Sequence, residues 1–407
     1  MGKYFERLLA MTVVVLMSTS VARAETVAVN CDGGQRLQAA IDQARPGDTI
    51  VVSGFCAENV VIREEAMRIT LDGQGAATIH GRLPGPPTIV VLGRGITIRG
   101  FTITGGRAGV TVIRGGTAVI DSNTIKETGI GGQPGSGDGV NIAQGGSYAQ
   151  IINNTIQFNP VAGIRVTEAS FARIGFLDPA DPVLRGNVIQ NNGAVGVLLD
   201  RSSGASIAGN TISGNAGPGV SVGGASYALL AANRVDANSS NGVTVRQNSA
   251  VQLGGGAGLL DPPNDTEVRN QGFGISCALN SSVDGRLATL TGTAGALSMD
   301  SSCASNLVAV TGLNVSPPTV RVGSSFSVTL SGTNLTDQTF FDVRFRAPGS
   351  TFDQEVSNWQ TGTSRTPTIP TGTPTGVWTF TGVRAHQDAA DHSGSFTPIS
   401  VILTVAP

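Results

Sequence analysis

The chain has 407 residues, of which 26 are Lys or Arg and 28 are Asp or Glu, so its formal net charge is −2. Lysine occurs only at Lys3 and Lys126. This weak charge excludes the basic surface by which proteins bind nucleic acid, and the frequent Gly, Asn, Ser, Thr and Val favour strands and turns over helices.

The first 24 residues have the features of a secretory signal peptide. Lys3 and Arg7 form a charged start, the apolar segment LLAMTVVVLM follows, and Ala22 and Ala24 fit a cleavage site. The apolar segment is shorter than a membrane span requires, and an uncleaved anchor is the alternative. We therefore predict no membrane span after signal cleavage, and a secreted, periplasmic or cell-surface location.

Four cysteines follow this segment, namely Cys31, Cys56, Cys277 and Cys303. An even number of cysteines in an exported chain indicates disulfides. Three pairings are possible, and Cys31–Cys56 with Cys277–Cys303 is the most economical because each pair closes one short region. No Cys or His spacing suggests a zinc site.

A short helix is predicted before the first strands. In LQAAIDQA, the residues Leu37, Ala40, Ile41 and Ala44 lie on one helical face. A Pro-Gly-Asp turn then leads into an apolar strand at residues 50–52. We expect this helix to cover an open end of the fold, where unpaired strand edges would otherwise aggregate.

A repeat of about 23 residues occupies the middle of the chain. Its copies include LRGNVIQNNGAVGVLL (184–199), IAGNTISGNAGPGVSV (207–222) and LAANRVDANSSNGVTV (230–245). Each copy has three apolar segments that are too short for helices, and Val220-Ser221-Val222 alternates with the period of a strand. Three strands per repeat, joined by tight corners, predict one coil of a parallel β-helix.

Like residues are expected to stack on like in successive coils, about 4.8 Å apart. One predicted asparagine ladder contains Asn123, Asn154, Asn187, Asn210 and Asn233, and a second contains Asn159, Asn192, Asn215 and Asn238. Asparagine tolerates the left-handed conformation and hydrogen-bonds neighbouring backbone. A row of glycines is expected to have positive φ or a close approach, namely Gly109, Gly139, Gly163, Gly196, Gly219 and Gly242.

These repeats resemble the right-handed parallel β-helix family of the pectin-lyase-like superfamily, over residues from about 30 to 275. The resemblance implies an all-β chain with a right-handed three-sheet parallel β-helix and an N-terminal capping helix. It implies less about function, because this scaffold carries lyases, hydrolases, epimerases, adhesins and inert spacers. Enzymes of the family usually work on the outer face of one sheet or in a groove walled by long turns.

The pattern changes from about residue 313. Apolar and polar residues alternate in four segments: TVRVGSSFSVTLSG, FFDVRFRA, GVWTFTGVRAHQ and PISVILTVAP. This alternation predicts a β-sandwich of immunoglobulin-like type. Trp359 and Trp378 are candidate core residues of this sandwich. We therefore predict a signal peptide at 1–24, a capped β-helix at 25–306 and a sandwich at 307–407, in a chain that is monomeric.

The outward positions of one predicted sheet are the candidate site. They read Thr111, Asn141, Arg165, Leu198, Ser221 and Thr244 along the helix. With their neighbours, beside the insertion GGQPGSG, they provide four candidate catalytic residues, namely Arg165, Asp138, Glu168 and Asp200. The candidate substrate-binding residues are Asn141, Arg114, Arg201 and Arg246.

These side chains suit an acidic sugar, because Arg pairs bidentately with a carboxylate. β-Elimination requires a base and neutralisation of the sugar carboxylate, by Arg, Lys or Ca²⁺ held by acidic side chains. Ca²⁺ is thus the candidate cofactor, although no residue is assigned as a metal ligand. The alternative is structural, because Glu168 and Arg201 are neighbours on successive coils and would pair across strands.

Two insertions and one histidine pair have further interpretations. Asp178 and Asp181 lie in IGFLDPADPVL, and Asp261 and Asp265 lie in LGGGAGLLDPPNDTEV. Both loops leave the same wall and would border a groove or bind Ca²⁺, but Asp-Pro is also ordinary turn chemistry. The final histidine-containing segment is a candidate metal site or a solvated loop, and it contains His386, Asp388, Asp391 and His392.

Three functions remain open on the sequence. The preferred one is an exported scaffold that contacts polysaccharide along the β-helix, without assigned catalysis. The second is a uronate-directed polysaccharide lyase, and the third is an adhesin that acts through the sandwich. The Asp-Pro-His-Asp motif typical of alginate epimerases is missing, as is the Asn-Thr-Asp, Asp-Asp, Gly-His-Gly set of polygalacturonases.

Overall fold

A computed structural model describes residues 24–129, 137–181, 183–254, 262–305, 307, 309–386 and 396–407. Several predictions concern residues outside these ranges: the signal peptide up to residue 23, insertion residues 131–136, Asp261, Asp388, Asp391 and His392. Within the described ranges, no helix is both long and apolar enough to cross a membrane.

The chain from residue 26 to residue 305 winds into a parallel β-helix. Its coils stack on one another, and their strands form three parallel sheets along the helix axis. Sheet I contains Thr26–Asn30, Thr49–Ser53, residues 70–72 of Thr70–Gly81, residues 96–99 of Ile96–Gly105, Thr117–Asp121, Tyr148–Ile152, Phe171–Ile174, Gly204–Ala208, Tyr227–Ala231, Ala250–Leu253, Ser282–Asp284 and Ala304–Ser305. Sheet II contains Phe55–Cys56, residues 77–81, residues 101–105, Thr124–Lys126, Thr155–Gln157, Val188–Gln190, Thr211–Ser213 and Arg234–Asp236.

Sheet III contains the remaining strand of each coil. Its members are Val60–Ile62, Ile89–Val91, Ala108–Val112, Asp138–Ile142, Ala162–Val166, Val195–Leu199, Val220–Val222, Val243–Val245, Phe273–Cys277 and Gly295–Met299. The inward positions of the three sheets are mostly Ile, Val, Leu and Ala, and they form one continuous buried core. The prediction of a parallel β-helix is therefore confirmed.

The helix α1, Leu37–Gln43, lies at the N-terminal end as predicted. Leu37 and Ile41 are buried against the core. The residue before the helix, Arg36, provides no side-chain cap. Instead Glu58 accepts a hydrogen bond of 2.7 Å from the backbone N–H of Leu37, which satisfies an otherwise unpaired helix donor.

Both asparagine ladders are present, and each is longer than predicted. Asn210 Nδ2 donates to Asn233 Oδ1 at 3.0 Å and to the Ile174 carbonyl at 2.9 Å. The first ladder continues to Asn264 and the second to Asn270. The left-handed conformation expected of the ladder asparagines lies instead one residue earlier, for example at Gly209 and Ala232, because that residue turns the asparagine side chain inward.

The row of glycines was expected to have positive φ or a close approach to a neighbouring chain segment, and the structure shows the close approach. None of these glycines has positive φ, and they lie in or next to sheet III strands. A Cβ on Gly219 would lie 2.8 Å from the Gly242 carbonyl oxygen and 2.7 Å from Val235 Cγ1. Glycine is therefore required there by close packing between coils, rather than by a turn conformation.

A serine ladder at the corner between sheets III and I was not predicted. Each backbone N–H donates to the Oγ atom of the serine in the next coil: Ser203 to Ser226, Ser226 to Ser249, and Ser249 to Ser281. The two disulfides have the economical pairing, Cys31–Cys56 and Cys277–Cys303. They lie near opposite ends of the β-helix.

The C-terminal part is a β-sandwich of two sheets. The smaller sheet contains Ala309–Ser316, Ser327–Thr333 and Ser364–Arg365; the larger contains Thr319–Arg321, Thr397–Ala406, Gly376–His386, Phe340–Arg346 and Gln354–Thr361 in spatial order. Apolar side chains of both sheets form one core, and Trp359 and Trp378 are half-buried at its margin. The immunoglobulin-like type and the boundary at residues 306 and 307 stay predictions.

Candidate functional site

An open groove of about 450 Å³ runs along the outer face of sheet III. Thr111, Asn141 and Arg165 are register partners on three successive strands, and all three line the groove. One rim is the corner that precedes these strands, and the other is the corner that follows them. The remaining polar lining residues are Arg107, Asp138, Gln144, Thr167, Glu168, Asp200 and Arg201.

Asp138 and Arg165 form a two-point ion pair within the groove. Arg165 Nε lies 2.7 Å from Asp138 Oδ2, and Arg165 Nη2 lies 3.2 Å from Asp138 Oδ1. The backbone N–H of Ala162 also donates to Asp138 Oδ1, at 3.1 Å. The carboxylate is therefore committed to groups of the next strand, which fixes the Arg165 guanidinium against the groove floor.

Glu168 and Arg201 pair across successive coils, as the structural interpretation predicts. Arg201 Nη1 lies 2.9 Å from Glu168 Oε1. Both residues occupy turns with positive φ, 57° and 54°. Asp200 accepts a hydrogen bond from the backbone N–H of Arg201 at 2.9 Å. All three line the same rim of the groove, so the predicted cluster of Asp138, Asn141, Arg165, Glu168 and Asp200 comes together.

Two polar atoms at the groove floor have no hydrogen-bond partner. Thr111 Oγ1 and Asn141 Oδ1 are both buried, and neither is paired within the protein. Thr111 is 5% exposed. Four other buried side-chain oxygens of the described residues share this property, but they belong to Ser170, Ser203, Gln360 and Thr381 and do not line the groove. The protein itself thus leaves hydrogen-bonding capacity unused just beneath the surface of the groove floor.

Two predicted substrate-binding residues lie outside this groove. Arg114 is exposed in the turn after Ala108–Val112, and Arg246 is exposed after Val243–Val245. Neither lines the groove. The strand of Arg246 is three strands from that of Arg165, which is about 14 Å by strand spacing. Both were predicted as substrate-binding residues because they lie in the turns just beyond the outward row of sheet III.

Arg107, Gln144 and Thr167 line the groove but were not predicted. Arg107 is exposed at the rim, and no ion pair joins it to a carboxylate of the described residues. The sequence could have indicated Arg107 through its position two residues before Gly109, at the corner that precedes sheet III.

The first insertion does not border the groove. It leaves the corner between sheets I and II, where Phe176 is fully buried against Ala208 and Ala231. Asp178 accepts a hydrogen bond from the Ala180 N–H, and Asp181 pairs with Arg185. The Arg185 hydrogen bond is the main cause that lowers the pKa of Asp181. These contacts agree with the turn interpretation of this loop, and the loop does not line the sheet III groove.

Of the two aspartates in the second insertion, the structure describes Asp265. Burial is the main cause that raises its pKa, and the nearby charge of Asp236 adds to this effect. Asp236 itself contacts Arg234 and accepts a hydrogen bond from the Glu267 N–H at 2.8 Å. Over the ranges that the structure describes, no three His, Cys, Asp or Glu side chains form a group that could hold a metal ion.

His386 is buried in the sandwich, so the solvated-loop interpretation is wrong for this residue, whereas the other members of the metal-site interpretation lie outside the described residues. It ends the strand Gly376–His386 and is buried. Its Nε2 lies 3.0 Å from Asp342 Oδ1, and Asp342 also accepts a hydrogen bond of 2.8 Å from Arg384 Nε. The alternating strand pattern continues to residue 386, which places this histidine inside rather than in the following loop.

Several solved structures are similar to this chain. An alginate lyase from Paenibacillus sp. str. FPU-7 has 17% identity and a TM-score of 0.40, over 69% of this chain and 99% of that one. A mutant of the periplasmic alginate epimerase AlgG has 16% identity and a TM-score of 0.41, over 69% and 82%. The enzymatically active domain of bacteriophage CBA120 tailspike protein 2 has 12% identity and a TM-score of 0.49, over 92% and 79%.

At these identities the similarity concerns the fold. No curated protein matches the chain. The family model described as "Right handed beta helix region" matches residues 87–174 and 165–311. These two matches cover the coils that carry the groove and both asparagine ladders. The chain therefore belongs to the right-handed β-helix family.

Proposed function

We propose that this protein binds a polysaccharide in the sheet III groove and holds it without cleaving it. The unpartnered Thr111 Oγ1 and Asn141 Oδ1 carry this proposal. Both oxygens are closed to solvent in this structure, so a sugar in the groove would reach them once the Thr111 and Asn141 side chains rotate. Its hydroxyl groups could then donate to Asn141 Oδ1 and exchange a hydrogen bond with Thr111 Oγ1. A buried polar atom without a partner costs stability, so its retention in an open groove favours a ligand role.

The form of the groove favours an extended polymer. Equivalent positions recur along stacked strands about every 4.8 Å, and the floor residues Thr111, Asn141 and Arg165 follow this spacing. Polar and charged side chains line both rims. The two disulfides are typical of exported proteins, which supports an encounter with extracellular or periplasmic glycans.

The same geometry disfavours elimination chemistry. A general base must exchange a proton near the working pH, yet the described lining of the groove contains no His, Lys or Tyr. Asp138 is engaged by Arg165 and by a backbone N–H, and Glu168 is paired with Arg201. A lyase that used Asp138 or Glu168 as its base would require these ion pairs to open, whereas binding requires only that they orient Arg165 and Arg201.

The test compares two threonines of the same outward row. Thr111→Val removes an unpartnered hydroxyl, so we expect polysaccharide affinity to fall at least fivefold while the melting temperature stays equal or rises. Thr244→Val removes a hydroxyl that accepts a hydrogen bond from Asn241 Nδ2 at 3.1 Å, outside the groove. This control should lose about 1 kcal/mol of stability and keep full affinity.

Affinity electrophoresis against pectate, alginate, glucuronan, hyaluronan and xylan, with and without Ca²⁺, measures binding. The size profile of each polymer after long incubation measures cleavage. Absence of binding to every polymer would overturn the proposal. Shortening of one polymer by the wild type, abolished by Arg165→Ala, would replace it with the lyase hypothesis.

A further inference from the structure

A second cavity lies within the C-terminal sandwich, between its two sheets. It is a cleft of about 410 Å³, within the size range of small-molecule sites. Its floor is the apolar core of the sandwich, formed by Phe326, Ile369, Phe380, Leu403 and Val405. Its walls include the half-buried rings of Phe345, Trp359 and Trp378.

The cleft follows from the sequence TPTIPTGTPTG at residues 366–376. Proline has no backbone N–H and interrupts a strand. The outer strand of the smaller sheet, Ser364–Arg365, therefore has only two residues. The segment beyond it is held by the bridge between Thr368 and Ser325 and by a hydrogen bond of 2.9 Å from the Gly323 N–H to the Ile369 carbonyl. A cleft stays open beside this segment, with half-buried aromatic walls and a floor of nearly buried apolar side chains.

The cleft is lined by aromatic rings that pack in non-parallel pairs. Phe345 and Trp378 have ring centroids 5.7 Å apart, and Trp359 and Phe380 have centroids 5.9 Å apart. Trp378 Nε1 donates to the Pro374 carbonyl at 3.0 Å, so its polar atom is satisfied. What these rings offer a ligand is therefore apolar surface.

Arg365 is the one charged side chain in the described lining of the cleft. Its guanidinium lies 5.2 Å from the Trp359 ring centroid and donates to the Trp359 carbonyl. No ion pair joins it to a carboxylate of the described residues. The exposed side chains of Gln354 and Thr368 add hydrogen-bonding groups at the rim. The cleft therefore combines an apolar interior with one positive charge at its edge.

We propose that this cleft binds a small amphipathic anion, with an apolar ring as its body and a carboxylate as its charged group. The ring would pack against the apolar floor and aromatic walls of the cleft, and the carboxylate would pair with Arg365. The site is separate from the sheet III groove and does not depend on polysaccharide binding there.

The apolar floor decides against a sugar as the occupant. Ile369, Leu403 and Val405 provide no hydrogen-bond partner from their side chains. Hydroxyl groups placed against them would lose water without compensation, which is unfavourable. An apolar ring loses nothing comparable and gains from the burial of its surface.

Tryptophan emission provides the test, because Trp359 and Trp378 are the only two tryptophans in the chain. The purified protein is titrated with cyclohexanecarboxylate, with neutral cyclohexylmethanol and with glucuronate, none of which fluoresces. We expect cyclohexanecarboxylate to change the emission and to bind about tenfold more tightly than the alcohol. Arg365→Gln should reduce this preference to less than twofold.

Arg321→Gln is the matched control. Arg321 is an exposed arginine of the same sandwich and does not line the cleft, so this variant should titrate like the wild type. Equal binding of the acid and the alcohol, or an unchanged preference in Arg365→Gln, would overturn the role of the charge. Tighter binding of glucuronate would overturn the apolar assignment, and no emission change with any compound would overturn the site.

Discussion

Asp342 illustrates how single residues stabilise the sandwich through hydrogen bonds to charge. Burial alone would raise the pKa of this carboxyl group. Hydrogen bonds from the Asn358 backbone N–H, His386 and Arg384 outweigh burial and lower the pKa to about 2. The Asn358 bond measures 2.7 Å and the Arg384 Nε bond 2.8 Å. The ionised carboxylate is therefore the form that the folded sandwich prefers.

This preference predicts a stability loss in acid. The folded pKa lies below the unfolded value of about 3.9, so the stabilisation is complete above pH 4 and is lost as the pH falls toward 2. Urea unfolding followed by tryptophan emission reports the sandwich, where both tryptophans lie. We expect the wild-type free energy of unfolding to fall across this window.

The variant Asp342→Asn should be less stable at pH 7 and should lack this portion of the pH dependence. Removal of one partner from a buried ion pair is destabilising: Arg384 then keeps only its pair with Glu355, and His386 loses the carboxylate that it contacts. A pH profile of Asp342→Asn that runs parallel to the wild type would refute the role of this carboxylate.

At the scale of the elements, the asparagine ladders hold one coil to the next. Asn210 accepts hydrogen bonds from the backbone N–H and side chain of Asn187, and donates to Asn233 and to the Ile174 carbonyl. It is 1% exposed. Each buried group that loses its partner costs about 1–3 kcal/mol.

We therefore expect Asn210→Ala to lower the free energy of unfolding by about 3 kcal/mol. Chemical unfolding followed by far-ultraviolet circular dichroism measures this change. Ser206→Ala, on the outward side of the same coil, should change stability by less than about 0.5 kcal/mol. Equal stabilities of the two variants would show that the ladder does not stabilise the coils.

At the scale of the whole molecule, the β-helix is closed at both ends. Helix α1 and the Cys31–Cys56 disulfide lie at the first coils, and Cys277–Cys303 lies at the last. End coils have a stacking neighbour on one side only, so their local unfolding is the easiest. Covalent closure there restricts the unfolded chain where fraying begins.

Replacement of both Cys277 and Cys303 by Ser should lower stability by about 3 kcal/mol, because a loop with a sequence separation of 26 residues is no longer closed. Thermal unfolding under non-reducing conditions measures the loss. Reductant should destabilise the wild type more than the double variant, which retains only Cys31–Cys56. An unchanged melting temperature in the double variant would contradict this prediction.

The fold was predictable because coil geometry is local in sequence. A spacing of 23 residues between Asn187 and Asn210 is enough to place one above the other. The same alignment predicted that Thr111, Asn141 and Arg165 share one outer face. The ladder members Asn264 and Asn270 escaped because their coil, NDTEVRN, has Thr266 at the apolar position of the repeat and one extra residue before the second Asn.

The candidate site was predictable only in part. Arg114 occupies the same turn position as Arg201, and Arg246 that of Asp200, yet a groove spans few coils and the repeat does not say which ones. Arg107 was missed because it lies at the corner that precedes sheet III, whereas the turn residues considered lie at the corner that follows it. For the insertion at Phe176 the sequence left a groove wall, a Ca²⁺ site and an ordinary turn open, and its position became visible only with its packing against Ala208 and Ala231.

The sequence by itself determined the coil, its corners and the outward row, because each depends on repeat spacing and on residue-specific backbone preferences. It favoured the observed disulfide scheme only as the most economical of three pairings. Tertiary structure alone decided which outward atoms are left without partners, as at Thr111 and Asn141, and where the sandwich stays open beside Arg365. These features depend on contacts between segments far apart in the chain. No local pattern records whether such a contact is made or left open.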